Sequence, residues 1–234
     1  MIQIMGQDGI TVGSNTDVNA SSDAIINYFF QRAPGFFDEV CYTGNGGTNT
    51  ITHNLGVVPS FIIVKCRSAV QNWATYAAAL GNNTNTYLST SDASQATAFW
   101  NSTDPTSSVF TTNGSGVVGS SGNTYVAWLF ATCPNVSKVG SYTGTGASQV
   151  INCGFTAGAR FVLIKRTDDI GDWYVYDTTR GMVSGTDPYL QMDTATSETN
   201  ANYVFTSSTG FTIQAAAPAA INASGGTFIF LAIA

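Results

Sequence analysis

Charge is what this chain has least of. Charged side chains make up 9% of its 234 residues and the formal net charge is −6, where ordinary globular chains carry about a quarter. The few cations are scattered, so no basic stripe exists to neutralise phosphates, and nucleic acid is not an expected partner. There is one histidine, His53, and twelve aspartates stand against two glutamates. A lone imidazole with no nucleophile elbow or paired-carboxylate motif beside it makes no recognisable acid–base constellation. The expectation is a non-enzyme with no catalytic residue and no cofactor. The four cysteines, Cys41, Cys66, Cys133 and Cys153, form no Cys-x-x-Cys pair and give no zinc spacing with His53. Free thiols, buried or partly buried, are expected. Long apolar runs are missing as well. The longest, Phe228–Ala234, is far too short to span a bilayer. Met1–Gly9 has no basic start leading into an apolar stretch, so neither membrane nor secretory leader is expected.

Hydrophobic residues nonetheless reach 44%, which separates the chain from disordered sequences of low hydrophobicity and high charge. Serine, threonine, asparagine and glycine take the place of the missing charge, and aspartate prefers turns where glutamate prefers helices. The pattern fits short strands joined by many polar turns.

A repeat organises the chain. At an offset of one hundred, Cys41-Tyr-Thr-Gly-Asn-Gly46 returns as Ser141-Tyr-Thr-Gly-Thr-Gly146, and Pro59-Ser-Phe-Ile-Ile-Val-Lys65 as Ala159-Arg-Phe-Val-Leu-Ile-Lys165. Asn72-Trp-Ala-Thr-Tyr76 returns as Asp172-Trp-Tyr-Val-Tyr176, and Tyr87-Leu88 as Tyr189-Leu190 after a slip of two. Thr124–Ala131 returns as Thr227–Ala234. A partial copy comes first: Gly9–Val12 parallels Val109–Thr112, and Ala24–Phe30 parallels Thr124–Phe130. Phe61–Val64 and Phe161–Ile164 are apolar, β-branched runs of strand length, and turn chemistry recurs every eight to twelve residues. Only Ala74–Leu80 and Asp92–Trp100 suggest helical turns. The fold class read from this is all-β: two tandem β-sandwich modules of about 100 residues, at 41–133 and 134–234, with an extra N-terminal hairpin in a partial module at 1–40.

Three marks carry a resemblance. They are Tyr-Thr-Gly-Asn-Gly, then Ile51–Lys65 with its Ile-x-His-Asn-Leu-Gly-x-x-Pro-x-Phe-Ile-Ile-Val-Lys pattern, then Asn-Trp-x-x-Tyr at 72–76. With the closing Gly122-Asn-Thr-Tyr-Val-Ala127, they resemble a repeated module, a domain of unknown function, of phage virion and tail-fibre proteins. The second copy departs from it with Cys153 for His53, Ala159 for Pro59 and Arg166 for Cys66. The resemblance implies a virion protein: a tail, baseplate, fibre or capsid-decoration component. Its implied partners are other virion proteins and further copies of itself. The alternative is an adhesin that grips a host surface glycan.

Candidate residues follow. Asp168, Asp169 and Asp172 crowd one loop and are the weak candidates for calcium, but the first copy has no acid there, so a solvated turn is expected. Asn82, Asn83 and Asn85 in a polar turn, with Trp73 and Trp173, are the candidates for ligand or interface contact. The tryptophans recur in both copies, which favours packing over a sugar platform. Lys65 and Lys165 end the apolar strands, and each is expected to reach water or to pair with an acid across the sheet.

Overall fold

The computed structural model describes residues 2–6 and 9–234. The chain divides into two compact units, Met1–Gln31 and Arg32–Ala234. The described residues are all-β, with 38% in strands and 4% in helices.

In the first unit, β1 (Ile2–Gly6) and β2 (Gly9–Val12) form an antiparallel hairpin with Gly6 opposite Gly9. A single helical turn, α1 (Thr16–Asn19), follows, its first amides capped by the Asn15 side chain accepting from the Asp17 N–H at 2.9 Å. The parallel with Thr124–Phe130 predicts a strand at Ala24–Phe30, but none forms there. The reason is ladder partners. Thr124–Phe130 is hydrogen-bonded on both edges, whereas the two strands of the first unit pair with each other.

The second unit begins with β3 (Phe37–Thr43), β4 (Asn49–Thr52), β5 (Phe61–Cys66), β6 (Ala74–Ala77), β7 (Thr84–Tyr87), β8 (Gln95–Ala96), β9 (Val109–Thr112) and β10 (Thr124–Phe130). It continues with β11 (Ser137–Thr143), β12 (Gln149–Asn152), β13 (Phe161–Arg166), β14 (Tyr174–Asp177), β15 (Tyr189–Gln191), β16 (Val204–Ser207), β17 (Gly210–Ile213), α2 (Ala219–Asn222) and β18 (Thr227–Ile233). The helical turns expected within 74–80 and 92–100 are absent as helices: Ala74–Ala77 and Gln95–Ala96 are strands. Alanine favours a helix, but here β6 lies between β5 and β7 and its four residues are buried. Tertiary pairing overrides propensity.

Sheet order is β3-β10-β5-β6-β7-β8 in the first half of this unit and β11-β18-β13-β14-β15 in the second. In each, the opening strand pairs with the closing strand, which pairs in turn with the apolar strand. A smaller sheet, β4-β9 or β12-β17-β16, stands opposite. The first core lies between them, with Ile51 and Phe110 facing Ile62, Val64, Tyr125 and Ala127. The second does likewise, with Ile151 and Phe211 facing Val162, Ile164, Phe228 and Phe230. This two-layer packing is that of a β-sandwich.

The Tyr-Thr-Gly signature has a physical reason. The Tyr42 hydroxyl donates to the Val118 carbonyl at 2.7 Å and the Tyr142 hydroxyl to the Ile221 carbonyl at 2.6 Å. Both rings are stacked, Tyr42 on Tyr125 and Tyr142 on Phe228. Two residues on, the backbone presses against the same loop. A Cβ on Gly44 would meet the Ser120 carbonyl, and one on Gly144 the Ala223 carbonyl. Only glycine allows that approach.

The halves differ in register. Tyr87-Leu88 aligns with Tyr189-Leu190 by sequence, yet Ala74 pairs with Tyr87 while Tyr174 pairs with Gln191. The Trp73 carbonyl accepts from the Leu88 N–H, and the Trp173 carbonyl from the Met192 N–H. The slip is therefore four residues, not two. The surplus sits in the loop after β14, where Arg180 Nε lies 2.5 Å from Asp177 Oδ2. At the end of that loop, buried Asp187 accepts from the Tyr203 and Val204 N–H groups at 2.7 and 2.6 Å.

Candidate functional site

Lys165 is the next-to-last residue of β13, and none of it reaches solvent. Its ammonium donates to the Gly171 carbonyl at 2.6 Å and to the Ser91 carbonyl, from the first half, at 3.1 Å. Neither expectation for this lysine holds. It does not reach water, and carbonyls rather than a carboxylate receive its protons, because residues 87–94 of the first half lie over it. Burial pushes its pKa down to about 8, against the attraction of Asp193, Asp172 and Asp92.

Trp173 stands beside it, 1% exposed. Its indole N–H donates to the Tyr87 carbonyl at 2.8 Å, and its ring lies 6.1 Å from that of Phe61. Two backbone bonds complete the seam: Gly171 N–H to the Ser91 carbonyl and Ser94 N–H to the Thr167 carbonyl, both 2.9 Å. The edge of the first half thus seals the outer face of the second. A cleft of about 370 Å3 adjoins the seam, between Ala79 and Leu80 on one side and Tyr142, Thr167 and Phe228 on the other. Its lining is hydroxyl and hydrocarbon.

The corresponding face of the first half is built from the same residue types. Lys65 donates to the Gln71 carbonyl at 2.6 Å, as Lys165 does to Gly171. Its ammonium lies 5.4 Å from the centre of the half-buried Trp73 ring. Trp73 stacks on Trp128 at 5.5 Å, and the Trp128 indole donates to Glu39 at 3.0 Å.

The remaining candidates are dispersed. Asp168 and Asp169 both face Arg166, at 3.0 and 3.5 Å, and this hydrogen-bonded guanidinium holds the Asp168 carboxyl down at about 2. Asp172 accepts from Gln191 at 2.5 Å instead. Among the described residues no group of His, Cys, Asp or Glu is arranged to hold a metal ion. Asn82 donates to Asp104 at 2.7 Å, and Asn83 accepts from Ser102 at 2.6 Å. Asn85 is fully buried and bonded to Thr97 and Thr86, so its amide serves the turn. Cys66 and Cys153 are buried free thiols, Cys133 is partly buried, and Cys41 is exposed at the edge strand β3.

His53 is 5% exposed. Its Nδ1 accepts from the Leu55 N–H at 3.2 Å, which places the proton on Nε2, 3.2 Å from the Thr106 carbonyl. Both nitrogens are engaged, and burial lowers the pKa below 6.5. Protonation is therefore harder in the folded chain. Its contribution is present above about pH 6.5 and is lost as pH falls through the lowered folded value. Acidification should destabilise the wild type more than His53→Cys, the residue the second half uses. Equal slopes of unfolding free energy against pH below 6.5 would show otherwise.

No curated protein and no solved structure matches the chain. A domain of unknown function, DUF7483, matches residues 7–234. That span takes in both halves, their seam and most of the first unit, and the chain belongs to the DUF7483 family.

Proposed function

We propose that this chain is a structural component of a tailed-phage particle, in the tail, baseplate, fibre or capsid decoration, and that it works by protein–protein packing. In this reading it holds two tandem modules, 41–133 and 134–234, preceded by a partial one. The seam at Lys165 and Trp173 carries the proposal. One half completes the outer face of the other with an indole hydrogen bond, a buried ammonium and two backbone bonds, which suits permanent contact between repeated units. The sequence resemblance and the low charge support the same reading. Its partners are other virion proteins and further copies of the chain.

Light scattering at micromolar concentration tests it. An oligomer is expected, and a monodisperse species of 24.5 kDa would contradict it.

The stacked, half-buried Trp73–Trp128 pair supports a second reading, an adhesin that stacks a host glycan there. Glycan-array binding that disappears in Trp73→Ala is its expected signature, and an array without signal would remove it.

A further inference from the structure

The seam within the chain is a template for a seam between chains. In the second half, four polar groups of the outer face are satisfied by residues 87–94: the Lys165 ammonium, the Trp173 indole, the Gly171 N–H and the Thr167 carbonyl. Their counterparts in the first half are Lys65, Trp73, Gln71 and Arg67. Lys65 keeps its bond to the Gln71 carbonyl but has no equivalent of Ser91. Among the described residues, the Trp73 indole, the Gln71 N–H and the Arg67 carbonyl have no hydrogen-bond partner.

The complementary edge is also open. By the strand register, Gln191 stands where Tyr87 does and Met192 where Leu88 does. Ala195 and Glu198 then stand for Ser91 and Ser94. Leu88 is 8% exposed, but Met192 is 47% exposed. Residues 194–198 are all exposed, whereas of residues 90–94 only Asp92 is. Among the described residues, the Ala195 carbonyl and the Glu198 N–H make no hydrogen bond. The chain therefore shows a socket at one end of its repeat and an unused plug at the other.

We infer that the Lys65–Trp73 face binds residues 191–198 of a second copy of this chain, repeating between molecules the contact that residues 87–94 make within one. This inference rests on the structural reading proposed above and specifies its contact. In the bound state the Trp73 indole donates to the Gln191 carbonyl and the Lys65 ammonium to the Ala195 carbonyl. The Gln71 N–H also meets the Ala195 carbonyl, and the Glu198 N–H meets the Arg67 carbonyl. Met192 is covered as Leu88 is. Plug and socket are different surfaces, so the contact is heterologous, and copies add in series to form a ring or a filament.

Sedimentation velocity over a concentration series of the full chain tests this, with Met192→Glu at the plug and Trp73→Ala at the socket. Met192 is exposed, so its substitution leaves the fold intact. Wild type is expected to grow beyond a dimer, and each variant to associate at least roughly tenfold more weakly. Mixed together, the two variants should form a one-to-one pair through their intact ends and nothing larger. If Met192→Glu assembles like wild type, the head-to-tail contact is overturned while oligomeric packing stands. In that case the socket is closed by another occupant, such as a glycan. A wild type that stays monomeric throughout overturns both.

Discussion

Trp173→Ala is expected to lower the unfolding free energy by about 3–5 kcal/mol. The ring is 1% exposed, and nothing near it can move in to fill the space. Phe61 comes from β5 of the other half, and the Tyr87 carbonyl is held by its own strand. Removing the indole leaves that carbonyl only the long contact from the Thr90 N–H at 3.4 Å, which adds to the cavity cost. Trp73→Ala is the internal comparison. Its ring is half-buried and makes no such bond to another half, so its expected loss is less than half as large. Urea unfolding of both variants checks this through the shift in midpoint at unchanged slope. Equal losses would mean that the seam contributes nothing beyond local packing.

Gly144→Ala is the second large effect. A Cβ at this position would meet the Ala223 carbonyl and the Asn222 backbone, and neither can swing aside as a side chain would. The contact is doubly fixed, by Gly144 N–H to the Gly226 carbonyl at 2.8 Å and Gly225 N–H to the Gly144 carbonyl at 2.9 Å. Asn222 itself is tied to Ala147, Gln214, Thr145 and Gln149. A loss at or above the upper end of about 1–3 kcal/mol is expected. Gly44→Ala should behave alike, since its Cβ would meet Ser120 and Gly119. Gly47→Ala, with only the Asn45 side chain 3.9 Å away, should change stability by no more than about 0.5 kcal/mol. Thermal unfolding of the three variants separates them, and a tolerant Gly144 would show that this loop has room to retreat.

The parts of the fold legible in the sequence are those where a residue answers to its immediate neighbours. The Phe61 and Phe161 runs become central strands because apolar, β-branched residues suit a sheet covered on both faces. The Tyr-Thr-Gly marks are readable as a repeated feature, although their reason, a hydroxyl and a missing Cβ facing one loop, belongs to packing. Residues 24–30 mislead because their pattern is that of Thr124–Phe130 without its two flanking partners. Residues 74–80 mislead because alanine propensity says nothing about a strand between two others.

The site was half legible. Trp173 stands out by recurrence, but its different fate from Trp73 depends on residues 87–94, whose Tyr87, Ser91 and Ser94 carry no chemical signature. They act mainly through backbone groups. Lys165 looks like any strand-end lysine until a second half covers it. The four-residue slip also conceals Met192 from a sequence alignment that matches one Tyr-Leu pair to another. The three loop aspartates draw attention as a cluster, yet Arg166 and Gln191 divide them. Repetition in sequence marks which residues matter to the module, whereas exposure marks which copy still has a surface to use.

The central claim is that one packing contact, used once inside the chain, is used again between chains. Electron microscopy of the assembled wild-type protein tests it most directly. The expected image has the second half of each copy related to the first half of the next by the same rotation and translation that carry residues 37–130 onto 137–233, with residues 191–198 seated at Trp73. Copies related instead by a two-fold axis through another face, with residues 191–198 left in solvent, would contradict it.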